Sequence, residues 1–191
     1  MSNSSADLAQ DQCDLDYDSI WEAIIYFGTF TFLGSGLYLH LTIIKTILVT
    51  ERKYFCRNSF FKITVMDSLA SVVVILNELF FNRLFIYSVP FCPTALSFFS
   101  SPSVILNFVF ISLNHARLSK SVSQIFMVLN RMTSVLFPTD YEKIWRVMTP
   151  ISCMILILPC GGMWNIWISK VIPRTFRGGF TIDYIKTVKW V

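Results

Sequence analysis

The sequence has few charged residues and none of the short motifs that mark a catalytic or metal-binding site. Only 15% of its 191 residues are charged and 54% are hydrophobic, whereas a typical soluble domain has about 25% charged residues. It contains no Gly-rich phosphate loop, no His-Glu-x-x-His box and no paired Cys-x-x-Cys, so we expect neither an enzyme nor a cofactor or bound metal. The five cysteines are scattered, which indicates neither a zinc site nor a disulfide-rich scaffold. What remains is the composition of a polytopic membrane protein.

Long apolar stretches predict an all-α membrane protein built as a bundle of four transmembrane helices. Roughly 20 helical residues cross a bilayer core, and four stretches reach that length: about 24–44, 63–81, 104–136 and 147–168. They divide the chain into an N-terminal tail at 1–21, a transmembrane region at 22–168 and a final loop at 169–191. Membrane lipid is therefore an expected partner.

The distribution of charge predicts which side of the membrane each loop occupies. The loop after the first span has five Lys and Arg residues against Glu51 alone, and such loops stay in the cytoplasm. The N-terminus is therefore predicted outside. By alternation, residues 169–191 also lie outside, although five Lys and Arg residues there conflict with that side. Because the basic residues flank apolar runs, the net charge of +4 does not indicate a nucleic-acid partner.

The acidic tail carries two candidate modification sites. Asn3 begins the sequon Asn-Ser-Ser, and whether it is glycosylated stays open. Cys13 lies in the tail, and Cys92 lies in the outside loop between the second and third spans. They are the two cysteines that this topology places outside before the fourth span. A disulfide between them is a candidate that the sequence leaves open.

The third span, 104–136, is predicted to be the central helix of the bundle. Its apolar residues form one stripe, and Arg117, Lys120 and Arg131 lie roughly opposite. A charge at mid-membrane costs about 2.5–3.5 kcal/mol. The charged side must therefore face protein or a water-filled cavity, and only the apolar side faces lipid.

The second span holds two carboxylates, Asp67 and Glu78, which in a span usually face the bundle interior. The rise per residue places Asp67 near the cytoplasmic end and Glu78 well above it. We expect Glu78 to pair with Arg117 or Lys120, and Asp67 to face the region of Asn130 and Arg131. The network of Glu78, Arg117 and Lys120 is either part of a pocket or a simple neutralisation of buried charge.

Short motifs in a fixed order between residues 57 and 190 resemble those of a known family. They are Arg57-Asn58, Phe60-Phe61-x-Ile63, Asp67-Ser68, Cys92-Pro93, Phe98-Phe99, Pro102-Ser103, Leu129-Asn130-Arg131-Met132-Thr133, and the separate residues Tyr184, Val188 and Trp190. This series is similar to the nematode serpentine receptor class gamma, a family of seven-span chemosensory receptors. The motif around Asn130 and Arg131 is the most specific element.

The resemblance implies a receptor for small external chemical cues that couples to a heterotrimeric G protein, in the plasma or ciliary membrane of a sensory cell. Asn130, Arg131 and Asp67 would form its inner switch, although Arg131 also suits a positive-inside anchor at a helix end. With four spans of seven, the chain would be a truncated or fragmentary receptor that does not signal alone. The alternative is a complete four-span scaffold or pore subunit.

Overall fold

The structure is a computed structural model that describes residues 18–55, 58–87, 104–157, 170–176 and 179–185. The described part contains four long helices: α1 (Ser19–Lys45), α2 (Ser59–Asn77), α3 (Val104–Leu136) and α4 (Tyr141–Ile157). Two antiparallel strands follow, β1 (Lys170–Phe176) and β2 (Gly179–Ile185). The predominantly helical architecture predicted from the sequence is confirmed in this part of the chain.

Side-chain caps mark where the first two helices begin. The Asp18 carboxylate accepts a hydrogen bond from the Ile20 backbone N–H at 3.0 Å. In the same way, the Asn58 side-chain oxygen accepts one from the Phe60 N–H at 2.9 Å. Each cap satisfies a backbone donor that the first turn of a helix leaves free. Capping residues in the sequence therefore fix the starts of α1 and α2.

Both of these helices end in π-helical turns. The helix α1 runs on through Thr46–Thr50, and the short helix Arg52–Phe55 follows. The helix α2 runs on through Glu78–Arg83 and then Leu84–Tyr87. Such turns are rare and occur often at functional sites.

Among the described residues, two helical segments are long and apolar enough to cross a membrane. They are Ser19–Thr50 and Ser59–Arg83, and they contain the predicted spans 24–44 and 63–81. The helix α3 has the bounds of the predicted third span. The helix α4 begins at Tyr141, before the predicted start of the fourth span at Val147, and residues 158–168 of that span lie outside the described part.

The chain divides into two compact units. One comprises the described parts of 1–34, 76–112 and 164–191, and the other those of 35–75 and 113–163. The core of the second unit contains Ile63, Phe126 and Trp145, one from each of α2, α3 and α4. Ser123 and Ser152 are fully buried in the same unit. Small buried residues of this kind let helices approach closely.

Large apolar side chains are exposed on α1, which belongs to the longer of the two segments that could cross a membrane. In α1, Phe27 and Phe32 are exposed to 66% and 77%. In a soluble protein such a surface would be a liability, but acyl chains cover it in a bilayer. The buried serines and exposed phenylalanines together fit a helix bundle that is surrounded by lipid.

The hairpin of β1 and β2 is an element that the sequence analysis does not predict. Its register pairs Lys170 with Ile185 and Phe176 with Gly179. The sequence nevertheless contains the signal, because β-branched and aromatic residues on both sides flank a two-residue link with Gly178. The prediction treated this segment as a loop because it lacks the length of a membrane span.

Candidate functional site

Three polar side chains from three helices form a closed hydrogen-bonded ring in the second unit. The Asn130 amide donates to Ser59 Oγ at 3.2 Å, and the Tyr141 hydroxyl donates to Asn130 Oδ1 at 3.0 Å. Ser59 Oγ and Tyr141 Oη are 3.1 Å apart. Since the one hydroxyl hydrogen of Tyr141 is used on Asn130, Ser59 is the donor in this contact. We call these residues the polar triad.

The local sequence explains why the triad forms where it does. Ser59 is the first residue of α2, directly after the cap Asn58, and Tyr141 is the first residue of α4. The connection between α3 and α4 has only the residues 137–140, so α4 must start beside the end of α3. Asn130 lies near that end and is only 2% exposed. Because all three groups have partners, the triad joins three helices without an unsatisfied buried dipole.

A second polar contact reinforces the junction of α3 and α4. The indole N–H of Trp145 donates to Thr133 Oγ1 at 2.6 Å. Thr133 in turn donates to the backbone carbonyl of Leu129 at 2.9 Å. Trp145 is buried in the core, where an indole N–H usually requires such a partner.

The structure places Arg131 on the surface beside this triad. Its side chain is exposed, and its guanidinium carbon lies 4.9 Å from the centre of the Phe60 ring. That distance is within the range of a cation–π interaction. Arg131 is therefore exposed beside the triad, whereas the adjacent Asn130 is buried within it, and the inner switch stays a prediction.

Asp67, the third residue of the predicted switch, contacts a different part of α3. Its carboxylate accepts a hydrogen bond from Ser123 Oγ at 3.0 Å, two helical turns from Asn130. The register of the helices explains the difference, since Ser59 of α2 already occupies the level of Asn130. Asp67 lies two turns further along α2 and so meets Ser123. The described hydrogen bonds thus do not bring Asp67 to Asn130.

Glu78 lies in the first unit and has two partners on its own helical segment. Its carboxylate accepts a hydrogen bond from the Asn82 amide at 2.9 Å, and Arg83 Nε lies 3.7 Å away. The π-helical turn causes this arrangement, because five-residue spacing brings Glu78 and Arg83 to the same face. The sequence analysis missed Arg83, which it assigned to a loop. The pairing of Glu78 with Arg117 or Lys120 stays a prediction.

A further contact joins α3 to the far part of α4. The Leu156 backbone carbonyl accepts a hydrogen bond from His115 Nε2 at 2.9 Å, and Ser119 Oγ lies 3.5 Å from the same oxygen. The carbonyl can only accept, so this ring nitrogen of His115 carries the hydrogen. Near these residues on α3, Arg117 is exposed and Lys120 is half-buried.

Other predicted sites lie outside the described residues. Asn3, Cys13 and Cys92 belong to this group, so glycosylation and the disulfide stay predictions. Within the described ranges, no group of three or more His, Cys, Asp or Glu side chains is placed to hold a metal ion.

Within the described part, two helices that are long and apolar enough to cross a membrane, one of them with exposed phenylalanines, fit a helical membrane protein. Residues 26–191 match the model of the Srg family of chemoreceptors. The chain belongs to this family. The resemblance seen in the sequence motifs is thereby confirmed, and the family is one of membrane receptors.

Individual relatives cover nearly the whole chain. Serpentine receptor class gamma-17 of Caenorhabditis elegans is 49% identical over 179 residues, which are 93% of this chain and 56% of that protein. Serpentine receptor class gamma-15 of the same nematode is 46% identical over 182 residues, again 93% and 56% of the two chains. The chain therefore spans about half the length of these curated relatives. No solved structure matches it.

Proposed function

We propose that the chain is part of a chemoreceptor that detects a small external molecule and passes the signal to a heterotrimeric G protein. The observation that carries the proposal is the polar triad with exposed Arg131 next to it. A half-buried ring of hydrogen bonds that joins three helices can act as a two-state element, and an adjacent exposed cation is available to a cytoplasmic partner. The names of the relatives favour this function over a four-span scaffold or pore subunit.

The proposed orientation has the N-terminus outside and the triad at the cytoplasmic face. The basic loop between α1 and α2 supports it, since such loops remain on the cytoplasmic side. Arg131 then lies at the inner surface. The network of Glu78, Arg117 and Lys120 belongs, in this proposal, to the side that receives the external cue. The membrane is the plasma or ciliary membrane of a sensory cell.

The length of the relatives supports a second part of the proposal. Because the chain spans about half of each relative, we infer that it does not signal alone and that further helices complete the receptor. Interfaces with those helices would use surfaces of α3 that are exposed here, other than the one at Arg131.

A chimera tests this function directly. Residues 1–191 are joined to the remaining part of serpentine receptor class gamma-17, and nucleotide exchange on purified heterotrimeric G proteins is measured in membranes. We expect exchange from the chimera, loss of it in Arg131→Gln, and none from the 191-residue chain alone. Ion conduction by the chain alone, with no exchange from the chimera, would instead favour the pore subunit.

A further inference from the structure

A groove of about 840 Å³ opens between α2 and α4, next to the polar triad in the second unit. Its lining changes character along α4: Glu142 and Arg146 come first, and Pro150 and Cys153 follow. Helical rise separates the first and last of these by roughly 16 Å. Lys62 of α2 lines the groove as well. The groove therefore has a charged end and an apolar end.

The charged end has an excess of positive charge. Lys62 and Arg146 are both exposed, and Glu142 is the one carboxylate in the lining. Among the described residues, no ion pair engages either cation. Two basic side chains against one carboxylate attract an anion, and arginine binds phosphate oxygens in a bidentate manner.

We propose that this groove binds an anionic membrane phospholipid. Lys62 and Arg146 hold its phosphate head group, and an acyl chain lies along Pro150 and Cys153. Basic sites between transmembrane helices suit phosphorylated head groups of the cytoplasmic leaflet, and the volume is in the usual range for ligand sites.

The apolar end is the reason to infer a lipid and not a soluble anion. A soluble phosphate compound would contact only the charged end and leave Pro150 and Cys153 uncovered. Ile151 and Met154 follow Pro150 and Cys153 directly on α4, outside the groove lining, and both are exposed apolar side chains. An acyl chain leaving the groove would therefore stay on apolar surface. The proposal depends on the membrane placement of the proposed function but not on its external ligand.

Occupancy of the groove would also stabilise the polar triad. Ser59 and Tyr141 belong both to the triad and to the groove lining. The hydroxyl groups of an inositol head group offer donors and acceptors beside them. A lipid that binds only the folded state raises the unfolding temperature. Bound lipid should therefore be detectable as increased thermal stability.

The first test compares two double variants with equal loss of charge. The 191-residue chain is reconstituted in phosphatidylcholine nanodiscs, and phosphatidylinositol phosphate is titrated in while binding is followed by native mass spectrometry. For Lys62→Gln/Arg146→Gln we expect affinity to fall about 30-fold, the factor that two basic residues contribute at an anionic bilayer surface. The control is Arg52→Gln/Lys53→Gln, two exposed cations outside the groove lining. An equal loss in both double variants would overturn the proposal.

The second test fills the apolar end and distinguishes a lipid from a soluble ligand. Pro150 is exposed, so Pro150→Trp adds bulk to the groove with little effect on the core. We expect this variant to weaken binding of the long-chain lipid while a short-chain analogue binds as before. Binding of the free head group, inositol bisphosphate, as tightly as the lipid would overturn the lipid assignment. Neither measurement includes a G protein, so failure here is distinguishable from failure of the proposed function.

Discussion

The hydroxyl of Tyr141 donates to Asn130 Oδ1 at 3.0 Å, and this hydrogen bond joins the first residue of α4 to the buried amide of α3. Tyr141 also accepts from Ser59, so its single oxygen connects all three helices. The start of α4 is thus fixed by a side-chain contact in addition to the short connection after α3.

Replacing Tyr141 with phenylalanine should destabilise the protein by about 1–3 kcal/mol, because the buried side-chain oxygen of Asn130 would lose its hydrogen-bond donor. The measurement is thermal or denaturant unfolding in detergent micelles. Tyr54→Phe is the matched control, since Tyr54 is 78% exposed and surface changes stay within about 0.5 kcal/mol. Equal stability of the two variants would contradict the triad.

The contact between Trp145 and Thr133 predicts an energetic coupling. Trp145→Phe and Thr133→Val should each destabilise the chain, and the double variant should cost less than their sum by about 0.5–1.5 kcal/mol, the net value of one hydrogen bond. The same unfolding assay measures this cycle. Trp21→Phe combined with Thr133→Val is the control, because Trp21 is 64% exposed and belongs to the other unit. Coupling of zero for Trp145 would refute the contact.

Two double-mutant cycles determine the partner of Asp67. The structure predicts coupling between Asp67→Ala and Ser123→Ala of about 0.6 kcal/mol, an average for hydrogen bonds between membrane helices. Asp67→Ala with Asn130→Ala should show less. A larger coupling of Asp67 with Asn130 than with Ser123 would instead support the position near Asn130 and Arg131 that the sequence predicts.

Two further cycles examine Glu78. If Arg83 is its main charge partner, Glu78→Gln should have little effect in an Arg83→Met background. If the predicted pairing with Lys120 dominates, Glu78→Gln should instead have little effect in a Lys120→Met background. Unfolding of the three single and two double variants decides between them, since only interacting residues show non-additive effects.

The proposed orientation is tested with an epitope tag at the N-terminus. In intact cells the tag should be accessible to antibody and protease, because the basic loop after α1 retains the opposite side in the cytoplasm. A tag placed between Arg52 and Lys53 should be protected until the membrane is permeabilised. The opposite pattern of protection would reverse the topology and would move Arg131 to the outer surface.

The sequence predicted the helices better than their partners. The bounds of α3 follow from the absence of Gly and Pro between Ser103 and Phe137, since nothing in between breaks a helix. Apolar length likewise located α1 and α2. The π-helical turns were not predictable in this way, because their hydrogen bonding leaves no periodic signal in the sequence.

The candidate site was predicted only in part. The motif around Asn130 and Arg131 pointed to the end of α3 where the polar triad lies, but Ser59 and Tyr141 were missed. Ser59 lies 71 residues from Asn130 along the chain, and such contacts depend on the register of packed helices. The sequence analysis also expected Asp67 to face the region of Asn130 and Arg131, because the sequence alone does not give the register of packed helices. One signal in the sequence could have identified them, since Ser59 and Tyr141 are polar residues at the first positions of α2 and α4.

The π-helical turn at Glu78–Arg83 has a consequence for insertions and deletions in α2. Removing one residue, such as Phe80, would convert the five-residue spacing of Glu78 and Arg83 to four, which an ordinary α-helix also brings to one face. The ion pair would survive, because Arg83 would keep its place relative to Glu78. Tyr87, which accepts a hydrogen bond from Arg83, would keep its place as well. A family member whose second helix is one residue shorter would therefore keep its neutralised carboxylate and present the same set of side chains beyond it.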